Sequence, residues 1–304
     1  MSKFYIASRL QPKSIMMGTS RIGLFPETQL HPYLDGPIYN LSLPGSTIDE
    51  QASYIQYMIK SHKVKNVVWS LDFFAFNPTK PIDPAFEPSR LSDSIFWNDY
   101  FISLFSFKTL SRSFKTIKSN QFSIPEPDET LGQPFTPKMV NFNINYILHQ
   151  YATDKTFLKS EVFKSSSSIN SKLALVKQTV ELCRVYNVSC ILYTSPVYYK
   201  HIDMIYAIGL GDTFEAWKIG IAQISPYTDF CTYNSITQNK MNFRDSSHII
   251  GHFGEIIFVK IFENNRSKIP QDFGTYVTRH NVFKHVSEQK KMRHPFSFDE
   301  NLSK

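Results

Sequence analysis

A serine hydroxyl becomes a nucleophile when an imidazole takes its proton. The imidazole works best when a carboxylate fixes its tautomer and stabilises its charged form. Ser20, His248 and Asp245 have the side chains for those three roles. Ser20 follows an apolar run in Ser14–Gly23 (SIMMGTSRIG), where Gly18 and the polar triplet Thr19, Ser20 and Arg21 interrupt it. Asp245 and His248 stand in Phe243–Glu255 (FRDSSHIIGHFGE), separated by a pair of serines and followed by apolar residues. That D-x-x-H spacing places both in the first turn of a following helix, facing one way. Each also has a structural use: Ser20 as a turn or helix cap, Asp245 with Ser246 or Ser247 as an N-cap, and His248 as a surface histidine. The contact that decides between these uses is tertiary.

Other chemistries fail on spacing. Gly18 and Gly23 match the glycines of a phosphate-binding loop, but Leu24 stands where its lysine belongs. Asp72 after an apolar run resembles the metal-holding acid of such proteins, which is weak without that lysine. The dinucleotide pattern G-x-G-x-x-G is absent, and Ile22 replaces the second glycine of the hydrolase elbow G-x-S-x-G. Cys183, Cys190 and Cys231 lack the paired spacing of a zinc site. Cys183 and Cys190 read as core thiols, and a Cys190–Cys231 disulfide is left open. No cofactor and no metal are expected.

Positioning Ser20, Asp245 and His248 is the task of the surrounding elements. A short amphipathic lead-in over Lys3–Pro12 precedes strands at Ser14–Gly18, Ile38–Leu43 and Val64–Leu71, with a helix at Ile48–Ser61 begun by Ser46 or Thr47 with Glu50. Asp72 ends the third strand. After 73–166 the alternation resumes: a helix over Ile169–Tyr186, a strand at Cys190–Thr194, a helix around Phe214–Gln223, a strand at Thr228–Thr232 and a helix over Ile249–Phe262. This order predicts a three-layer α/β/α sandwich around a parallel, flavodoxin-like sheet of about five strands. The carboxyl ends of parallel strands share one edge, which would gather Ser20, Gly45 and Asp72 there.

The stretch 73–166 is rich in proline, with aromatic helical pieces such as Asp99–Ile117, and is too long for an ordinary crossover. It reads as an insertion forming a lid, a substrate wall or a partner surface. The expected organisation is therefore one domain over 1–266 containing this insertion, followed by a basic surface tail over 267–304. The 26 Phe and 16 Tyr are read chiefly as core.

The net charge of +7 is concentrated partly in Lys108–Lys118 and Lys284–His294. Neither sits in a nucleic-acid module, so both read as solvated faces, and no nucleic-acid partner is expected. No apolar window is long enough to span a bilayer, and the opening residues lack the order of a secretory signal. As written the chain reads as soluble: cytoplasmic, or of the cell envelope if an anchor or partner lies outside it.

The order of the short motifs resembles the SGNH (GDSL-like) hydrolase and acyltransferase superfamily. Its successive blocks correspond here to Gly18-Thr19-Ser20, Leu43-Pro44-Gly45-Ser46, Ser70-Leu71-Asp72-Phe73 and Asp245-Ser246-Ser247-His248. The nearest likeness is to a bacterial, envelope-associated branch with G-[ST]-S-R and L-D-F-F blocks, over roughly 12–261 without the insertion. The resemblance implies that Ser20 attacks an ester carbonyl, His248 acts as base and then acid, and Asp245 orients His248. It also implies an oxyanion hole from the N–H groups of Ser20 and Gly45. Asp72 departs from the family's asparagine, and an ionised carboxylate repels an oxyanion unless it is protonated or paired. Arg21, at the end of the neighbouring strand, is the expected partner.

Two functions follow from the resemblance. One is a serine-dependent esterase or O-acyltransferase acting on an acylated carbohydrate or other small ester, with other envelope or polysaccharide-modifying proteins as potential partners. The other is a catalytically weak or inactive protein of the same fold that binds glycan or assists polysaccharide assembly.

Overall fold

The computed structural model describes residues 2–84, 86, 91, 144–155, 157–263 and 269–298. Helix α1 (Ser2–Leu10) leads into β1 (Ser14–Met17), the four-residue helix α2 (Ser20–Gly23) and β2 (Ile38–Asn40). Next come α3 (Ile48–Ser61) and β3 (Asn66–Leu71). Helix α4 (Ile144–Thr153) and α5 (Asn170–Val185) precede β4 (Ser189–Thr194). They are followed by α6 (Tyr199–Ala207), α7 (Gly211–Ile224), β5 (Tyr227–Asp229) and α8 (Ser235–Gln238). The described chain continues through α9 (Phe253–Phe262), β6 (Thr275–Val277) and α10 (Val282–Lys291).

The strands form one sheet in the order β2-β1-β3-β4-β5-β6. The first five are parallel, the flavodoxin-like arrangement, and β6 pairs antiparallel with β5. Right-handed crossovers set the layers. The β1–β2 connection lies on one face, where α9 covers it: Phe25 meets Phe258 edge-on at 5.9 Å and Tyr33 stacks on Phe262 at 5.0 Å. The crossovers that build β3, β4 and β5 put α3, α5 and α7 side by side on the other face, with α10 beyond them. The result is a three-layer α/β/α sandwich.

Strands β1 and β3 are buried on both faces, which is why Ile15, Met16, Met17, Val67 and Val68 form apolar runs with little alternation. Helix α3 begins with a capping box in which Thr47 is the cap: its N–H donates to Glu50 Oε2 at 2.7 Å, and the Glu50 N–H donates back to Thr47 Oγ1.

Between β1 and β3 the connections run off in opposite directions, so a crevice opens at their carboxyl ends. Gly18 makes the turn there at φ +152°, and a Cβ on it would fall 2.9 Å from both Cβ and O of Ser70 on β3. Both the dihedral and the close approach demand glycine. Gly18→Ala is expected to cost about 1–3 kcal/mol, read as a lower urea midpoint with an unchanged slope.

Several sequence expectations change. The described part of 267–304, residues 269–298, does not form a loose tail, and the boundary at 266 falls inside the domain. Strand β6 makes the sheet six-stranded, and Val277, Val282 and Val286 are buried at 0%, 0% and 6% exposure. The basic character of α10 belongs to its outer face, where Lys290 pairs with Glu215 at 2.8 Å and Lys284 approaches Glu288 at 3.8 Å. The helix expected from Ile249 begins at Phe253, because 243–252 is held as a turn by the Phe243–Ile249 bridge and the Arg244 N–H bond to the His248 carbonyl. Helix α6 lies where no helix was expected.

Of the stretch 73–166, the buried turn Phe73–Phe76 and helix α4 belong to the core, with Leu148 and Tyr151 buried. The expected helical piece Asp99–Ile117 and the basic stretch Lys108–Lys118 lie outside the described residues. Among the described residues no helix is long and apolar enough to cross a membrane. All three cysteines are free thiols, so Cys190 and Cys231 are not bridged.

Candidate active site

Strand β1 and the turn at 243–252 bring together side chains far apart in the chain. Thr19 caps α2, with its Oγ1 accepting from the Arg21 N–H, and Ser20 is the first residue of that helix. Its hydroxyl lies 2.8 Å from His248 Nε2, and His248 Nδ1 lies 2.7 Å from Asp245 Oδ2. Asp245 and His248 therefore do share a side, although the turn and not a helix presents them. A proton on Nδ1, donated to Asp245, leaves Nε2 free to accept from Ser20.

The second oxygen of Asp245 accepts from the Ser247 N–H at 2.7 Å, the His248 N–H at 3.0 Å and the Ser247 hydroxyl at 3.1 Å. Burial pushes the Asp245 carboxyl up. Hydrogen bonding and charge from His248, with the Ser247 backbone and hydroxyl, outweigh burial and hold it well below the ordinary carboxylate range. The carboxylate is thus held in its charged form. The pair is reachable from solvent, with side-chain exposures of 24% for His248 and 17% for Asp245.

Asp72 follows β3 beneath this group. The Arg21 guanidinium donates to its Oδ1 at 3.1 Å, and the Thr19 hydroxyl donates to its Oδ2 at 2.5 Å. The expected Arg21–Asp72 pairing is present, with side-chain exposures of 6% and 0%. Burial pushes the guanidinium down, but Asp72 and its other neighbours more than offset this, so it stays charged. Arg21 also lies over the Phe74 ring, 5.2 Å from its centre.

Gly45 sits in a turn whose Ser46 N–H closes onto the Leu43 carbonyl at 3.1 Å. Pro44 followed by a glycine at φ +68° has the signature of a type II turn. The Leu43 N–H donates to the Gly18 carbonyl at 2.9 Å, tying this turn to the end of β1. Among the described residues, apart from its own chain neighbours, no atom lies within 4 Å of where a Cβ on Gly45 would stand.

Two neighbours escaped the sequence reading. Tyr151 on α4 places its hydroxyl 3.0 Å from Ser247 Oγ, and His201 on α6 places Nδ1 3.3 Å from Ser246 Oγ. Burial, and then the charge of Arg21, push His201 well below its ordinary range, so it is neutral. The paired serines of the D-S-S-H block were the available signal, since buried hydroxyls need partners. Nothing local in the sequence points to Tyr151.

Among the described residues no cluster of His, Cys, Asp and Glu is arranged to hold a metal ion. What the group can do chemically is move a proton from a serine hydroxyl to an imidazole backed by a carboxylate, at the mouth of a sheet crevice. No protein-family model matches the chain, and no curated protein matches it.

Proposed function

We propose that the chain is a serine-dependent ester hydrolase or O-acyltransferase of the SGNH type, acting on an acylated carbohydrate or another small ester. The observation that carries this is the unbroken run from Ser20 Oγ through His248 to Asp245 at 2.8 Å and 2.7 Å. Its place beyond the carboxyl ends of β1 and β3 is where open α/β sheets take ligands.

In this proposal the Ser20 proton passes to His248 Nε2 while Oγ bonds to the ester carbonyl carbon. The carbonyl oxygen becomes an oxyanion facing the N–H groups of Ser20 and Gly45. As the tetrahedral species collapses, His248 returns the proton to the departing alcohol, leaving an acyl group on Ser20. Water or an acceptor hydroxyl then gives its proton to His248 and attacks that acyl group; collapse of this second adduct returns the proton to Ser20 Oγ. Asp245 holds the imidazole and offsets its charge in both halves. Arg21 counters the Asp72 carboxylate, which would otherwise oppose the oxyanion.

Labelling with a fluorophosphonate tests the proposal, because such reagents modify a serine only when a neighbouring base activates it. Stoichiometric label mapping to the peptide that contains Ser20 is the expected result. The second reading, a glycan-binding protein without turnover, is favoured by one observation: Asp72 is occupied with Arg21 and Thr19 and supplies no third donor. Retained glycan binding with no label on Ser20 would select it.

A further inference from the structure

Asp245 and His248 are joined by Ser246 and Ser247, both fully buried, and each hydroxyl is met from behind by a ring. The Tyr151 and His201 rings pack edge-on at 4.6 Å, and the Tyr198 N–H donates to the Ser246 carbonyl at 3.1 Å. Helices α4 and α6 therefore hold the back of the turn that presents the imidazole.

The Ser247 hydroxyl stands at a fork, 3.1 Å from Asp245 Oδ1 and 3.0 Å from His248 Nδ1. It has a single proton to give. Donated to Asp245, that proton leaves Nδ1–H paired with Oδ2 and Nε2 open to Ser20. Donated to Nδ1, it stabilises the other tautomer, whose Nε2–H has nothing to accept from Ser20. The Tyr151 hydroxyl, 3.0 Å from Ser247 Oγ, bears on this choice. Burial pushes the phenol up, so it keeps its proton. When that proton is given to Ser247 Oγ, the serine cannot donate to the phenol and its own proton goes to the fork, where the charged Asp245 carboxylate is a stronger acceptor than a neutral ring nitrogen.

We propose that Tyr151 is a positioning residue for the Ser20–His248–Asp245 group, selecting through Ser247 the imidazole tautomer that can take the Ser20 proton. The role in catalysis rests on the serine-hydrolase reading, whereas the choice of tautomer does not.

Tyr151→Phe keeps the ring contacts with His201 and with Phe157 at 4.4 Å and removes only the hydroxyl. Ring-nitrogen NMR of His248 reads the tautomer whether or not the protein turns over, and fluorophosphonate labelling of Ser20 reads its reactivity. In wild type, Nδ1–H is expected. In Tyr151→Phe, a substantial Nε2–H population and labelling slowed about tenfold are expected, the effect of one hydrogen bond. Ser247→Ala should slow labelling similarly, and adding Tyr151→Phe to it should cost nothing more, whereas a packing role would make the losses additive. An unchanged tautomer and rate in Tyr151→Phe overturns the proposal. A changed tautomer in a protein whose wild type never labels keeps the positioning role and overturns the hydrolase reading.

Discussion

Asp245→Asn is expected to lower the turnover of an acetyl or p-nitrophenyl ester about 10⁴-fold, and Ser20→Ala roughly 10⁶-fold, with KM little changed. The asparagine fills the same space, but its amide N–H₂ turned toward His248 Nδ1 would favour the imidazole tautomer with its proton on Nε2. The Ser20 hydroxyl would then face a donor. Ser20→Ala removes the atom that carries the acyl group, so only uncatalysed attack by water and the remaining oxyanion donors are left. Steady-state kinetics with thermal unfolding controls check both. Equal turnover in wild type and Ser20→Ala would show that any esterase activity arises elsewhere in the molecule.

The second large effect lies away from this site. Asp229, at the end of β5, accepts from Lys218 at 2.7 Å, His285 at 2.8 Å, Thr194 at 2.6 Å and the Cys231 N–H at 3.1 Å. Lys218 also donates to the Cys231 carbonyl at 2.6 Å. The acid, the lysine and the histidine are all buried, so the charges are compensated by one another and not by water. Lys218→Met is expected to cost about 3–5 kcal/mol, because it leaves a buried carboxylate short of its counter-charge. The loss is read as a lower urea midpoint. Lys284→Ala, on the exposed pair with Glu288, should change stability by less than about 0.5 kcal/mol.

The pH dependence follows from the same residue. Burial pushes the Asp229 carboxyl up, but Lys218 and His285 more than offset it, so its value in the folded protein is depressed. A depressed carboxyl contributes stability that is fully present above its unfolded value near 3.9 and is lost as pH falls through the folded one. Asp245 acts in the same direction.

The sequence made legible whatever was local and periodic. Strands β1 and β3 stood out as apolar runs, and Thr47 with Glu50 marked the start of α3. Arg21 and Asp72 could be paired on paper because each follows one of two adjacent parallel strands. The D-S-S-H block was legible as a unit because its residues lie within one turn. Strand β6 was not, since Thr275–Val277 is three residues long and draws its partner from β5. Helix α10 hid because Val282 and Val286 form its apolar stripe amid lysines. Tyr151 gave no sign because it reaches Ser247 from 96 residues earlier.

The hydroxyl and imidazole that meet at 2.8 Å are 228 residues apart in the chain. During translation at roughly 5–20 residues per second, Ser20 leaves the ribosome at least ten seconds or so before His248 has been added. Within that interval β1 can pair with β2 and β3 as they emerge, yet the serine has no base beside it. On the proposed reading, a nascent or prematurely released polypeptide that stops short of the D-S-S-H turn is therefore chemically silent, because its serine gains a base only once that turn has been built.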